Sequence, residues 1–78
     1  MACNVDLIET MAFDPSNGIA NLEQHLERMK ESAAALGFTF DRHVARNELQ
    51  AATFRCRDSR KIRLLLSPSG NMAIESRP

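Results

Sequence analysis

The chain has 78 residues, 44% of them hydrophobic and 26% charged, with ten basic and ten acidic side chains and a net charge of zero. That composition describes one small globular domain, residues 1–78, which buries only about 60% of its unfolded surface on folding. It offers no basic excess for nucleic acid, no apolar run near the ~18 residues of a membrane span, and no secretory leader in MACNVDLIET, so a cytoplasmic location is expected.

Cys3 and Cys56 stand far apart with no CxxC. The two can pair, but free thiols in a cytosolic protein are the expected state. A chain this short without a staple often leans on a partner surface.

Val5–Phe13 alternates well enough to predict a strand, with Val5, Leu7, Glu9, Met11 and Phe13 on one face. Apolar groups on its second face predict an inner strand covered on both sides. Glu9 interrupts the first face and reads as a solvated or hydrogen-bonded strand residue. Asp14-Pro15-Ser16-Asn17-Gly18 is a turn cluster, with Ile19 and Ala20 leading on.

Asn21–Gly37 is the longest periodic segment. Asn21 is placed to cap a helix, with Gln24 at capping-box spacing. Leu22, Leu26, Met29, Ala33 and Leu36 form an apolar stripe, and Gly37 is a stop. His25, Arg28 and Ser32 share a shoulder between the stripe and the solvated face. Asp41 caps a second helix, about Arg42 to Phe54, with Val44, Ala45, Leu49 and Ala52 as its buried side. Phe40 packs on its first turn. Arg42, Arg46, Asn47 and Gln50 read as polar filler. After a polar loop, Lys61–Ser67 is a strand, Pro68–Asn71 a tight turn and Met72–Ser76 a returning strand. The order β-α-α-β-β gives an α+β fold, an antiparallel sheet with two helices on one face.

Arg28 has two readings. One is a surface arginine paired with Glu31 or Gln24 on its own helix. The other is an anion site, since a guanidinium makes bidentate hydrogen bonds to phosphate. His25 reads as a packed, hydrogen-bonded histidine. A metal centre from His25, His43, Cys3 and Cys56 would need a convergence that no spacing predicts. Arg55–Arg63 is basic but lacks aromatic interleaving and reads as a solvated loop. No GxSxG or cysteine signature supports nucleophilic catalysis, so no catalytic residue is assigned. Of the two lysines, Lys30 lies on the solvated helix face and Lys61 opens a strand beside the basic loop.

These residues carry a resemblance. LIETMAFDPSNGIANLEQHLERMKESAAALGFTFD resembles the N-terminal small domain of class IV aminotransferases, the fold-type IV pyridoxal-phosphate enzymes. Within them it is most like the aminodeoxychorismate lyases. The HLxR segment from His25 to Arg28, followed by Ser32-Ala33 and Leu36-Gly37-Phe38, carries most of the likeness. KIRLLLSPSGNMAIE is similar to that family's next hairpin.

The resemblance implies that Arg28 matches the arginine holding the cofactor phosphate. It also implies a homodimer, or a C-terminal large-domain chain as partner, with pyridoxal phosphate between small and large domains. Its activity would make 4-aminobenzoate and pyruvate on the folate pathway. The family's Schiff-base lysine belongs to the larger domain, which is not among these residues, so a truncated or split enzyme, inactive alone, is expected. Ala12 also stands where relatives often carry an arginine. The alternative expectation is a non-catalytic protein-interaction module that kept the fold. A third, anion or nucleic-acid binding through Arg55–Arg63, is the weakest of the three.

Overall fold

The computed structural model describes residues 5–78. The elements are β1 (Leu7–Asp14), β2 (Gly18–Ile19), α1 (Leu22–Leu36), α2 (Arg42–Thr53), β3 (Arg60–Leu66) and β4 (Met72–Arg77). The four strands form one antiparallel sheet in the order β2-β1-β3-β4. Both helices cover the same face, α1 over β1 and α2 against β4. The expected α+β arrangement is therefore the observed one, with the short strand β2 added where Ile19 pairs with Phe13.

The alternation of side chains explains the layering. On β1, Met11 and Phe13 point into the core, and on β3 Ile62, Leu64 and Leu66 do the same. Leu26, Met29 and Ala33 of α1 and Ala45 and Leu49 of α2 close the core from above. Every member of that set repeats with the period of its element, two in strands and three to four in helices.

Several expectations need correction. β1 is an inner strand, flanked by β2 and β3, yet its second face is open: Ile8, Thr10 and Ala12 are exposed. The strand begins at Leu7, and Val5 is exposed. Asn21 does not cap α1 with its side chain. It sits in the left-handed region at φ 56°, where asparagine is tolerated, and the short link from β2 forces that turn. Its carbonyl still accepts from His25 N–H at 3.0 Å, but no capping box with Gln24 forms.

Leu36 leaves the stripe and is 52% exposed, because the chain reverses immediately afterwards. Gly37 takes φ 75°, its N–H reaches the Ala34 carbonyl and Phe38 N–H reaches that of Ala33. This is the Schellman closure that a glycine permits, and it buries Phe38 in place of Leu36. In α2 the buried face is Ala45, Leu49 and Thr53, not Val44 and Ala52. The helix is rolled by about one residue, so Thr53 faces inward and returns its hydroxyl to the Leu49 carbonyl at 2.9 Å. Phe54 falls beyond the helix end and is exposed. Asp41 does cap α2, accepting from His43 and Val44 N–H at 2.9 and 3.3 Å, and Phe40 packs on the core edge.

The two arginines expected to be filler tie the helices together. Arg42 reaches Glu23 at 2.9 Å and Glu27 at 2.8 Å, and Arg46 reaches Glu23 at 2.6 Å. The Arg46 hydrogen bond is the largest cause holding the Glu23 carboxyl below its ordinary range. Since the folded state lowers this pKa, the network stabilises the fold above the unfolded carboxylate pKa and is lost as pH falls through the folded value. The melting temperature should therefore drop on acidification below about pH 4.5, and Glu23→Gln should flatten that drop. A scan of melting temperature against pH for the two chains checks this, and equal slopes would remove the network as a cause.

Cys56 is a free, half-buried thiol; Cys3 lies outside the described residues. The turn after β3 lies against the connector between the helices. At Gly70, φ 96°, an added Cβ would come within 3.1 Å of Thr39 Cβ, so no other residue fits there without movement.

Candidate functional site

Glu9 sits on β1 opposite Leu64, on the face that carries Met11 and Phe13. A carboxylate there points towards the helix layer and needs partners. α1 provides two. His25 and Arg28 are three positions apart, hence on one side of the helix, and both turn towards Glu9. His25 Nδ1 lies 2.7 Å from Glu9 Oε1, and Arg28 Nε lies 3.7 Å from Glu9 Oε2. A carboxylate oxygen only accepts, so Nδ1 carries the hydrogen in this contact.

Burial divides the three. The Glu9 and His25 side chains are 13% and 16% exposed, whereas Arg28 is 64% exposed. The cluster is thus a half-buried acid and imidazole under an arginine that reaches solvent. Glu9 behaves as a hydrogen-bonded strand residue and His25 as a packed histidine, in line with the sequence. Arg28 differs from the expectation of a partner on its own helix. Its ionic partner is Glu9, from the sheet, and neither Glu31 nor Gln24 bonds it. Among the described residues, the two terminal nitrogens of Arg28 make no hydrogen bond within the domain. A guanidinium with its ε side on a carboxylate and its terminal side open can take an anion in a bidentate fork.

The other candidate chemistry is not gathered here. Lys30 and Lys61 are both exposed. Arg60 pairs with Asp58 and Arg63 with Glu75, which uses up part of the basic segment. Among the described residues no three His, Cys, Asp or Glu side chains group as metal ligands. No described helix is long and apolar enough to cross a membrane. An open concavity of about 650 Å³ lies at the other end of β1, lined by Thr10, Ala12, Phe13, Gly18, Arg60 and Lys61 among others. It includes neither Glu9, His25 nor Arg28. Ala12 contributes a small apolar wall to it.

The Glu9 partnership was not drawn from sequence. Its one signal is a single acid on an otherwise apolar strand face, which demands a hydrogen-bond donor but does not say from which element.

Comparison with known proteins fits this geometry. The model of the family described as amino-transferase class IV matches residues 6–78. A crystal structure of a protein described as an amino-acid aminotransferase from Mesorhizobium loti superposes with a TM-score of 0.85 at 33% sequence identity. The match covers 94% of this chain and 35% of that one, so the chain spans about a third of the length of its structural relative. No curated protein matches the chain. With nearly every residue inside the family's pattern, and the fold reproduced at that level, the chain belongs to the class IV aminotransferases.

Proposed function

We propose that this domain supplies the phosphate-holding side of a cytosolic pyridoxal-phosphate enzyme of the aminodeoxychorismate lyase type. It is silent until a large domain bearing the Schiff-base lysine closes against it. The observation that carries the reading is Arg28, an exposed arginine whose ε side rests on Glu9 and whose terminal nitrogens have no partner among the described residues.

The residues fit the cofactor as one wall of its site. Arg28 would hold the phosphate as a bidentate donor. Pyridoxal phosphate itself, once bound, supplies the electron sink for carbanion chemistry. The carbonyl of that cofactor needs a lysine amine, and both lysines of the 78 residues are exposed, one on the solvated side of α1 and one on β3. The domain therefore orients an anion and leaves bond making to groups outside it. The completing domain comes from the continuing polypeptide or from a separate chain. The lyase assignment rests on the likeness of the strand Leu7–Met11 and the segment His25–Ser32.

The test is reconstitution. The purified 78-residue chain, given pyridoxal phosphate and aminodeoxychorismate, should release no 4-aminobenzoate, and addition of a lysine-bearing class IV large domain should restore release. Turnover by the 78 residues alone would overturn the proposal. Restored transamination of an amino acid without 4-aminobenzoate would overturn the lyase assignment.

A further inference from the structure

We infer that Glu9 is a positioning residue for Arg28: braced by His25, its carboxylate holds the guanidinium in place for a phosphate monoester. The inference rests on the phosphate reading of Arg28. Three observations lead to it. One carboxylate spans both partners, Oε1 at 2.7 Å from His25 Nδ1 and Oε2 at 3.7 Å from Arg28 Nε. The acid itself is anchored in a strand paired on β3 through Leu64, and its side chain is only 13% exposed. The arginine is 64% exposed and would otherwise sweep many rotamers.

Two effects of Glu9 on an incoming phosphate oppose each other. Its negative charge repels the anion, which weakens binding. Its ion pair with Nε at 3.7 Å restricts beforehand part of the rotamer freedom that Arg28 would lose on binding, which strengthens it. The positioning role requires the second to exceed the first. His25 then has a defined part: by donating to Oε1 it keeps the carboxylate turned so that Oε2 faces Arg28.

That conflict of sign gives the experiment. The full 78-residue chain is titrated with inorganic phosphate while the Arg28 Nε–H resonance and the backbone amides are followed by NMR. Glu9→Gln keeps the shape, and its amide oxygen can still accept from His25, but the amide nitrogen cannot hold Arg28. Glu9→Asp keeps the charge and loses one methylene of reach. Positioning predicts that both variants bind phosphate more weakly, by about two- to tenfold. In each, Arg28 Nε–H should become mobile while the remote amide pattern stays put. Charge alone predicts tighter binding by Glu9→Gln and no change in Glu9→Asp, and either result overturns the inference while leaving the phosphate reading intact.

A readout on the unaltered chain stands independently of how the variants fold. Arg28 Nε–H should already be ordered before phosphate is added, and a mobile resonance there overturns the inference. If phosphate shifts nothing at Arg28 in the unaltered chain, the phosphate reading falls and this inference falls with it.

Discussion

Leu64→Ala is expected to remove a large share of the folding stability. Leu64 is fully buried at the centre of β3, with Glu9 of β1 on one side and Ile74 of β4 on the other. Removing its branched end leaves a void beneath the two helices, and such truncations cost about 2–5 kcal/mol. At roughly 0.05–0.15 kcal/mol per residue, a domain of this size holds about 4–12 kcal/mol in total, so the loss is a large share of it. The measurement is urea denaturation followed by circular dichroism. The expected result is a midpoint moved to low urea or a chain without a cooperative transition. An exposed counterpart, Leu36→Ala, should move the midpoint far less. If both variants matched the parent, the core described here would be wrong.

Arg28→Gln has the second large effect, on binding and not on folding. In the reconstituted enzyme it should weaken pyridoxal phosphate by about 10- to 100-fold, the value of a charge-assisted hydrogen bond of about 1.5–3 kcal/mol. Arg28→Lys should recover only part of this, since an ammonium is a point charge without the planar fork. The melting temperature without cofactor should scarcely change, because the side chain is 64% exposed. Cofactor absorbance titrations read the affinity, and thermal denaturation reads the fold. An unchanged affinity in Arg28→Gln would assign the phosphate to some other group.

The sequence makes the elements legible because their hydrophobic periods are clean, as in Leu26-Met29-Ala33 and Ile62-Leu64-Leu66. It is less informative where one residue of rotation decides burial. Val44 and Ala45 are adjacent and both apolar, so periodicity alone does not say which faces inward; the match of Leu49 and Thr53 to Ala45 settles it in the folded chain. Asn21 misleads for a different reason. Its type suits either a cap or a left-handed turn, and the short path from β2 selects the turn. At the site, periodicity leaves Arg28 with two readings, and the likeness to relatives favours the anion one. Its partner Glu9 comes from a different element, and Arg42 and Arg46 likewise find acids on α1. Long-range ion pairs depend on how elements are stacked, and that is not written in any local spacing.

The sheet order carries one more consequence. β1 is laid down first but lies beside β3, with Phe13 opposite Arg60 and Leu7 opposite Leu66. Both helices stand between the two partners in the chain. β1 pairs locally with β2 across a tight turn, as the β3–β4 hairpin does, but its long ladder to β3 requires closing the loop that holds both helices. Loop closure of this kind raises contact order and slows folding. The pairing of β1 with β3 is therefore expected to be the slow step of folding, while Glu9 meets His25 and Arg28 through the packing of α1 on β1. The Glu9–His25–Arg28 cluster cannot form ahead of tertiary structure, because its acid and its two basic side chains come from different elements.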